Sequence, residues 1–510
     1  MRGSNLLVKV IVLLSSLLIA VVGICTEPFL GDETLHFQLA STIYQTGERP
    51  TYNHLVHYSD VAQGAYFTDI FWHYGLVSLW KLTGGVSITT AQFYNAFYFL
   101  LLATATFLLT RELYGAENEL YSVLLVLSVP TIPILSVILH FDVAVTALAA
   151  FCLLMLAKRR YFLAGIFLGL SILMKRNIYL IIPAIVFLTI FDSNNGIKGA
   201  GRRLLLLAAP VIPITAFDSY FRITNFGLDS FLMWPIMPMR FTINPLDGFR
   251  YGPELPPVVF YDSSNFLLNP GAIVTHFGPV LFISLWLYIS NSKKQKADLF
   301  VLVPLLSGIS IFLFATLLGF SGGMLRYLIP VVPFLAILGA QGIASVKSRM
   351  ARCILLLACI AQFFFALGYI SHERKVPSGL KEVYDAIKVS LPEDARIMTP
   401  LGAQLPFYTG RVSQWGSYCC YSEMRYLFWV ADEKDALSIM NRYGTDYILI
   451  EKNNIYDDSE IRHTGRYPKS FVEKIATFSF LKPIYENRAA TLWAVQKKAA
   501  LPETYLKENR

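Results

Sequence analysis

Charge is scarce in this chain: of 510 residues only 15% are Asp, Glu, Lys or Arg, against roughly 25% in ordinary soluble domains. Together with 55% hydrophobic and 14% aromatic residues and a mean hydropathy of +0.50, that shortage excludes a cytosolic enzyme and a disordered chain. Cysteine is equally thin, at six residues. Cys25, Cys152, Cys353 and Cys359 lie in or beside apolar runs, where a small hydrophobic thiol is the expected reading. Cys419 and Cys420 are adjacent, a spacing that disfavours a relaxed disulfide between them. A secreted disulfide scaffold is therefore excluded, and no Cys/His spacing reads as a zinc site. No basic domain stands behind the formal charge of +8, so nucleic acid is not an expected partner. Internal repeats, low-complexity tracts and nucleotide-binding motifs are also missing.

What is present is a series of long apolar runs. Segments 5–25, 91–110, 119–139, 143–157, 161–174, 177–191, 204–221, 273–290, 298–319, 327–345 and 353–371 approach the ~20 residues that cross a bilayer as helix. They predict a mainly α, polytopic membrane helix bundle of about 11 spans. Segments 161–174 and 177–191 are short and read equally as a re-entrant pair, which leaves the sidedness of later segments unchanged. The first run is longer than a usual signal-peptide core and lacks a small-x-small cleavage site before Glu27, so it reads as a retained helix.

Basic clusters set the orientation, because Lys and Arg accumulate in cytoplasmic loops. Arg111, Lys158 to Arg160, Lys198 with Arg202 and Arg203, Lys293 to Lys296, and Lys347 with Arg349 and Arg352 fall in alternate loops. The amino terminus is then cytoplasmic, and residues 26–90, 222–272 and the tail face the outside of a plasma or inner membrane. From His372 charges return and long apolar runs stop. A helix-like stretch from Gly379 to Ser390 and strand-like Ala395 to Thr399 and Tyr447 to Ile450 predict a small α/β extracytoplasmic domain over 372–510, against a membrane domain over 1–371.

Ionisable groups on the outer side are few. In Gly31-Asp32-Glu33-Thr34-Leu35-His36, a helix starting near Asp32 puts Asp32 and His36 on one face and Glu33 about 100° away. Asp32 reads with equal ease as a helix cap. Asp142, the lone carboxylate between Glu119 and Asp192, sits at the outer end of the third or fourth span, where ionisable groups tend to mark a site. Lys175-Arg176 and Arg326-Tyr327 place cations at the outer rim, against the positive-inside bias. They read as snorkelling side chains or as a phosphate site. Arg240, Arg250 and His276 sit in or beside an outer loop suited to a lid over a lipid head group.

The segment from Tyr66-Phe67-Thr68-Asp69 through Trp72-His73-Tyr74-Gly75 and Leu76 to Gly84, then Asn95 to Thr110-Arg111-Glu112-Leu113-Tyr114-Gly115, resembles the GT-C superfamily of polyprenyl-phosphate-sugar-dependent glycosyltransferases. The relatives meant are those of the protein mannosyltransferase and lipid A aminoarabinose transferase kind. Leu163 to Lys175 and Arg326-Tyr327-Leu328-Ile329-Pro330-Val331-Val332-Pro333 continue the resemblance, which covers most of residues 28–345.

The resemblance implies a GT-C-like fold and transfer of a hexose or pentose from a polyprenyl-phosphate donor to a lipid, glycan or protein hydroxyl, with inversion, in the cell envelope. It implies Asp32 as catalytic base, Glu33 as its support, Asp142 as the second acid, and Arg326 with Tyr327 at the donor. His36, Lys175 and Arg176 join the substrate site. Where relatives carry a basic or His-Pro-Pro group, this chain has Thr68-Asp69, so that donor contact is either missing or supplied by His73. No cofactor is required by this reading, although Glu33, His36 and Asp142 are candidates to hold a divalent cation such as Mg or Mn. The competing class is a transporter or flippase in which Asp32, Asp142 and Arg326 line a translocation route. A structural assembly subunit has no positive signal.

Overall fold

The structure is a computed structural model that describes residues 2–28, 31–48, 56–57, 71–191, 198–232, 270–291, 295–317, 325–399, 404–415, 431–456 and 467–496. They fall into two compact units. Every described residue up to Lys375 belongs to the first except Val56–His57, which join the residues from Val376 onward in the second.

The first unit is helical. Leu6–Cys25, Ile88–Tyr114, Ala200–Tyr220, Lys296–Phe314, Leu325–Ser345 and Arg349–Glu373 are each long and apolar enough to cross a membrane. Two further segments are bent pairs, Glu119–Ser128 with Thr131–Val137 at 64° and Gly271–Phe277 with Pro279–Asn291 at 91°. Among the described residues the count is therefore six spans, or up to eight if each bent pair is one span, with Asp142–Ala157 and Tyr161–Met174 as shorter apolar helices. The eleven-segment reading draws some of these differently. Segment 177–191 is a 3-10 turn, Arg176–Leu180, followed by the short helix Ile182–Ile190, which at 1.5 Å per residue covers only about half of a ~30 Å core.

The bends have sequence causes. Pro130 lacks an N–H and drives Val129 out of the helical region, to φ −60° and ψ 114°. At the other bend Gly278 takes φ +81° before Pro279, a conformation open to glycine. A Cβ there would lie 1.9 Å from the Gln362 amide. That buried side chain serves both bends. Its Nε2 donates to the Ser128 carbonyl at 2.6 Å and its Oε1 accepts from the Val280 N–H at 3.5 Å, supplying partners that lipid cannot.

The second unit is α/β, as the tail composition predicts. Its strands are β1 (Val56–His57), β2 (Arg396–Thr399), β3 (Val412–Trp415), β4 (Tyr447–Glu451), β5 (Ile455–Tyr456), β6 (Tyr467–Pro468), β7 (Leu481–Glu486) and β8 (Ala490–Val495). A six-stranded sheet runs β1-β3-β2-β4-β8-β7, while β5 and β6 pair separately. The β1, β3, β2 and β4 pairings are parallel; β8 and β7 are antiparallel. Helices Ser378–Ser390, Gln404–Thr409, Glu433–Arg442 and Lys469–Ile475 accompany the strands. Met398, Ile448, Ile450, Phe471 and Phe480 form the core. The 371/372 boundary shifts to Lys375/Val376, and the unit is not the tail alone: β1 comes from within residues 26–90.

Candidate active site

Five pieces of the first unit converge. The helix Gly31–Thr46 starts soon after the first span and holds Asp32 and Glu33 in its first turn, where free N–H groups and the helix dipole favour carboxylates. His36 follows one turn later. The helix Phe71–Thr83 contributes His73. The third piece is Leu139-His140-Phe141-Asp142, which leads into the helix Asp142–Ala157. Its approach is held by Asn95, whose Nδ2 donates to the carbonyls of Ser136 at 2.9 Å and Ile138 at 2.5 Å. Lys175 ends the helix Tyr161–Met174 in an extended conformation, and Arg326-Tyr327 lie in the 3-10 turn Leu325–Val331.

The side chains form a row in which each acid has a cation at its outer flank and His140 lies between the two acids. Arg326 Nη1 donates to Asp32 Oδ2 at 2.6 Å. Asp32 Oδ2 lies 4.0 Å from His140 Nε2, and His140 Nδ1 lies 2.9 Å from Asp142 Oδ2. Lys175 Nζ donates to Asp142 Oδ1 and stands over the rings of Phe141 and Tyr327, 5.2 and 5.4 Å from their centroids. His36 Nδ1 and His73 Nε2 are 3.1 Å apart, and the His36 ring packs against His140 and Phe141 at 5.0 and 4.7 Å.

Access separates the roles. The Asp32 side chain is 45% exposed and Arg326 30%, whereas Lys175 is 13% and Asp142 0%. Asp32 and Arg326 are thus the accessible pair, and Lys175 and Asp142 the buried one. His36 and His73 are buried and lie behind the acids. The Arg176 side chain, and Arg240 and Arg250, lie outside the described residues. His276 sits in the helix Pro270–Phe277, with its ring nitrogen Nδ1 3.0 Å from the Ala272 carbonyl.

Asp32 meets solvent on one face and protein on the others. Those low-dielectric surroundings tend to raise its carboxyl, but the Arg326 guanidinium, with His140 and His36, outweighs them and holds it well below the usual carboxylate range. Burial pushes both His36 and His140 down. Neighbouring His140 and His73 add to the effect at His36, while Asp142 opposes it at His140.

Glu33 is not at the accessible face. Its carboxylate is 0% exposed and held by the equally buried Arg374, and its Oε1 also accepts from the Leu139 N–H at 3.3 Å. This corrects the grouping of Glu33, His36 and Asp142 as a cation site. Glu33 is committed to a guanidinium fork and Asp142 to the Lys175 ammonium, so the three donors do not converge. Among the described residues no group of three His, Cys, Asp or Glu side chains does.

His140, Asn95 and Arg374 were not singled out by the sequence reading. His140, two residues before Asp142, carried the one available signal. Arg374 lies 341 residues from Glu33 in a run of charges that reads as the start of the tail.

No protein-family profile and no curated protein matches the sequence. Solved structures do match. ArnT from Cupriavidus metallidurans bound to undecaprenyl phosphate is 14% identical with a TM-score of 0.63, over 97% of this chain and 98% of that one. The oligosaccharyltransferase AglB from Archaeoglobus fulgidus, in complex with an inhibitory peptide and a dolichol-phosphate, is 12% identical with a TM-score of 0.55, over 86% and 69%. The arabinofuranosyltransferase AftD from Mycobacteria is 13% identical with a TM-score of 0.54, over 96% of this chain and 41% of its own length. The chain therefore shares the fold of these structures, which is the GT-C-like architecture expected from the sequence.

Proposed function

We propose that this chain is an integral-membrane glycosyltransferase that moves a sugar from a polyprenyl-phosphate donor to the hydroxyl of a lipid, glycan or protein acceptor. The observation that carries the reading is the accessible Asp32–Arg326 pair, a base and a cation side by side at the mouth of a buried ion-pair row. Support comes from the fold and from two neighbours whose structures contain undecaprenyl phosphate or a dolichol-phosphate.

In this mechanism the acceptor oxygen attacks the anomeric carbon from the side opposite the phosphate, and the configuration inverts. Asp32 takes the hydroxyl proton as the new C–O bond forms. The bond between the anomeric carbon and the phosphate oxygen breaks, and its electron pair leaves on the lipid phosphate, stabilised by Arg326 and by Lys175 beneath it. A donor phosphate at Arg326 competes with Asp32 for the guanidinium, which weakens the hold on the carboxylate and makes it a stronger base once the donor has docked. Asp142 anchors Lys175, and Tyr327 with Phe141 shields its ammonium. The alternating basic loops support an amino terminus in the cytoplasm, with the site and the second unit outside.

The test is purified protein in nanodiscs with a panel of radiolabelled undecaprenyl-phosphate sugars and a membrane extract as acceptor. Label moving into an acceptor with release of undecaprenyl phosphate supports the reading. Intact lipid crossing liposomes with no bond exchange overturns it in favour of a transporter.

A further inference from the structure

Arg374 and Glu33 form a fully buried ion pair in the first unit. Arg374 and Glu33 meet as a fork on a carboxylate, Nη2 to Oε1 at 2.5 Å and Nε to Oε2 at 3.1 Å, both side chains 0% exposed. The remaining nitrogen, Nη1, donates to the Gly23 carbonyl at 3.1 Å and to the Thr26 hydroxyl. Glu33 in turn accepts from the Leu139 N–H. One pair therefore ties the end of the first span, the start of the helix Gly31–Thr46, the segment before Asp142 and the end of the helix Arg349–Glu373.

Two of these ties lie next to a site group. Glu33 follows Asp32 in the chain, and Leu139 precedes His140. Because Glu33 points about 100° away from Asp32 around the helix, clamping it fixes the rotation that aims Asp32 at Arg326. A carboxylate reaches roughly 6 Å from the helix axis, so a turn of about 20° moves it by about 2 Å. Misplacement of a reacting group by 1 Å costs on the order of 100-fold in rate.

We propose that Arg374 is a positioning residue for glycosyl transfer: acting through Glu33 and Leu139, it holds Asp32 in register with Arg326 and with the His140–Asp142 segment. The proposal rests on the reading of Asp32 as the base. Stability alone is a poor reason for the pair, since apolar side chains of similar volume commonly replace a buried ion pair without loss.

That exchange supplies the experiment. Arg374→Met strands the buried Glu33 carboxylate and lowers the melting temperature, whereas Glu33→Leu combined with Arg374→Met restores it. The restored protein is expected to bind undecaprenyl phosphate normally yet to turn over about 10-fold to 100-fold more slowly than the native chain. Carbodiimide labelling of Asp32, read by mass spectrometry, is expected to accelerate as its pairing with Arg326 loosens. If the double variant does not fold, Arg374→Lys keeps the charge but loses the fork; it is expected to fold and show the same two changes. A folded variant with native turnover and native Asp32 labelling overturns the proposal. If the native chain transfers no sugar, the glycosyltransferase reading fails on its own, and the labelling rate still decides whether Arg374 positions Asp32.

Discussion

Arg326 and Asp32 are 294 residues apart in the chain and 2.6 Å apart in space. The contact brings the 3-10 turn that opens one span against the first turn of a helix that follows another. With the Lys175–Asp142 pair below, each acid of the row has its own cation, and a phosphate arriving at Arg326 meets a guanidinium already engaged by Asp32.

The pairing fixes a pH signature. With its carboxyl held below the ordinary 3.8, Asp32 is already deprotonated throughout neutral and mildly acid solution. The kcat/KM profile, which reports the free enzyme, is expected to show no acid limb from Asp32 between pH 7 and 5. Arg326→Gln removes the cation, leaves the low-dielectric surroundings, and shifts the limb upward. Arg326→Lys retains charge but not the planar fork and weakens donor use less than Arg326→Ala. Native kinetics in all three variants would remove Arg326 from the site.

His36 and His140 make a separate prediction about stability. Both are buried with their pKa values lowered from 6.5, so between the lowered values and 6.5 the unfolded chain binds more protons than the folded one. Stability therefore rises with pH through that window and falls on acidification. Melting temperatures of the nanodisc protein are expected to drop from pH 7.5 to pH 5, and His140→Asn to flatten the dependence. A slope of the opposite sign contradicts the neutral assignment.

Much of this architecture was legible in the sequence. Apolar runs marked most helical segments, and Tyr447 to Ile450 marked a central strand, because hydrophobic patterning is a local signal. What was not legible depends on distant partners. The two-residue strand Val56–His57 has no periodicity of its own and exists through pairing with Ser413 and Gln414. Arg374 looks like solvated charge until Glu33 is placed against it. Rare charge at apolar boundaries points to Asp32, Asp142 and Arg326, which the structure brings together, whereas Glu33, expected beside Asp32 as its support, is buried against Arg374.

The lower ion pair is expected to matter for folding. Lys175→Met leaves Asp142, 0% exposed, without its paired ammonium, and stranding a buried charge costs about 3–5 kcal/mol. Denaturation in detergent is expected to show a loss of this order, recovered in part by adding Asp142→Asn. An unchanged melting curve in Lys175→Met would show that the pair is not formed.

Orientation can be checked independently of chemistry. In a background lacking native cysteines, Lys158→Cys and Arg349→Cys are expected to resist a membrane-impermeant maleimide in intact cells, whereas Asp60→Cys and Asp435→Cys react. Protection at Asp435 would put the second unit inside and contradict the proposed location of the site.

The central claim, that Asp32 is the base, is tested most directly by Asp32→Asn in the sugar-transfer assay. Asn and Asp cap helices comparably well, so a capping role survives the change while a carboxylate base does not. General-base loss typically costs 10²–10⁴-fold, and a fall in kcat of at least about 100-fold is expected, with insertion, yield and undecaprenyl phosphate binding unchanged. Near-native turnover by folded Asp32→Asn would contradict the account.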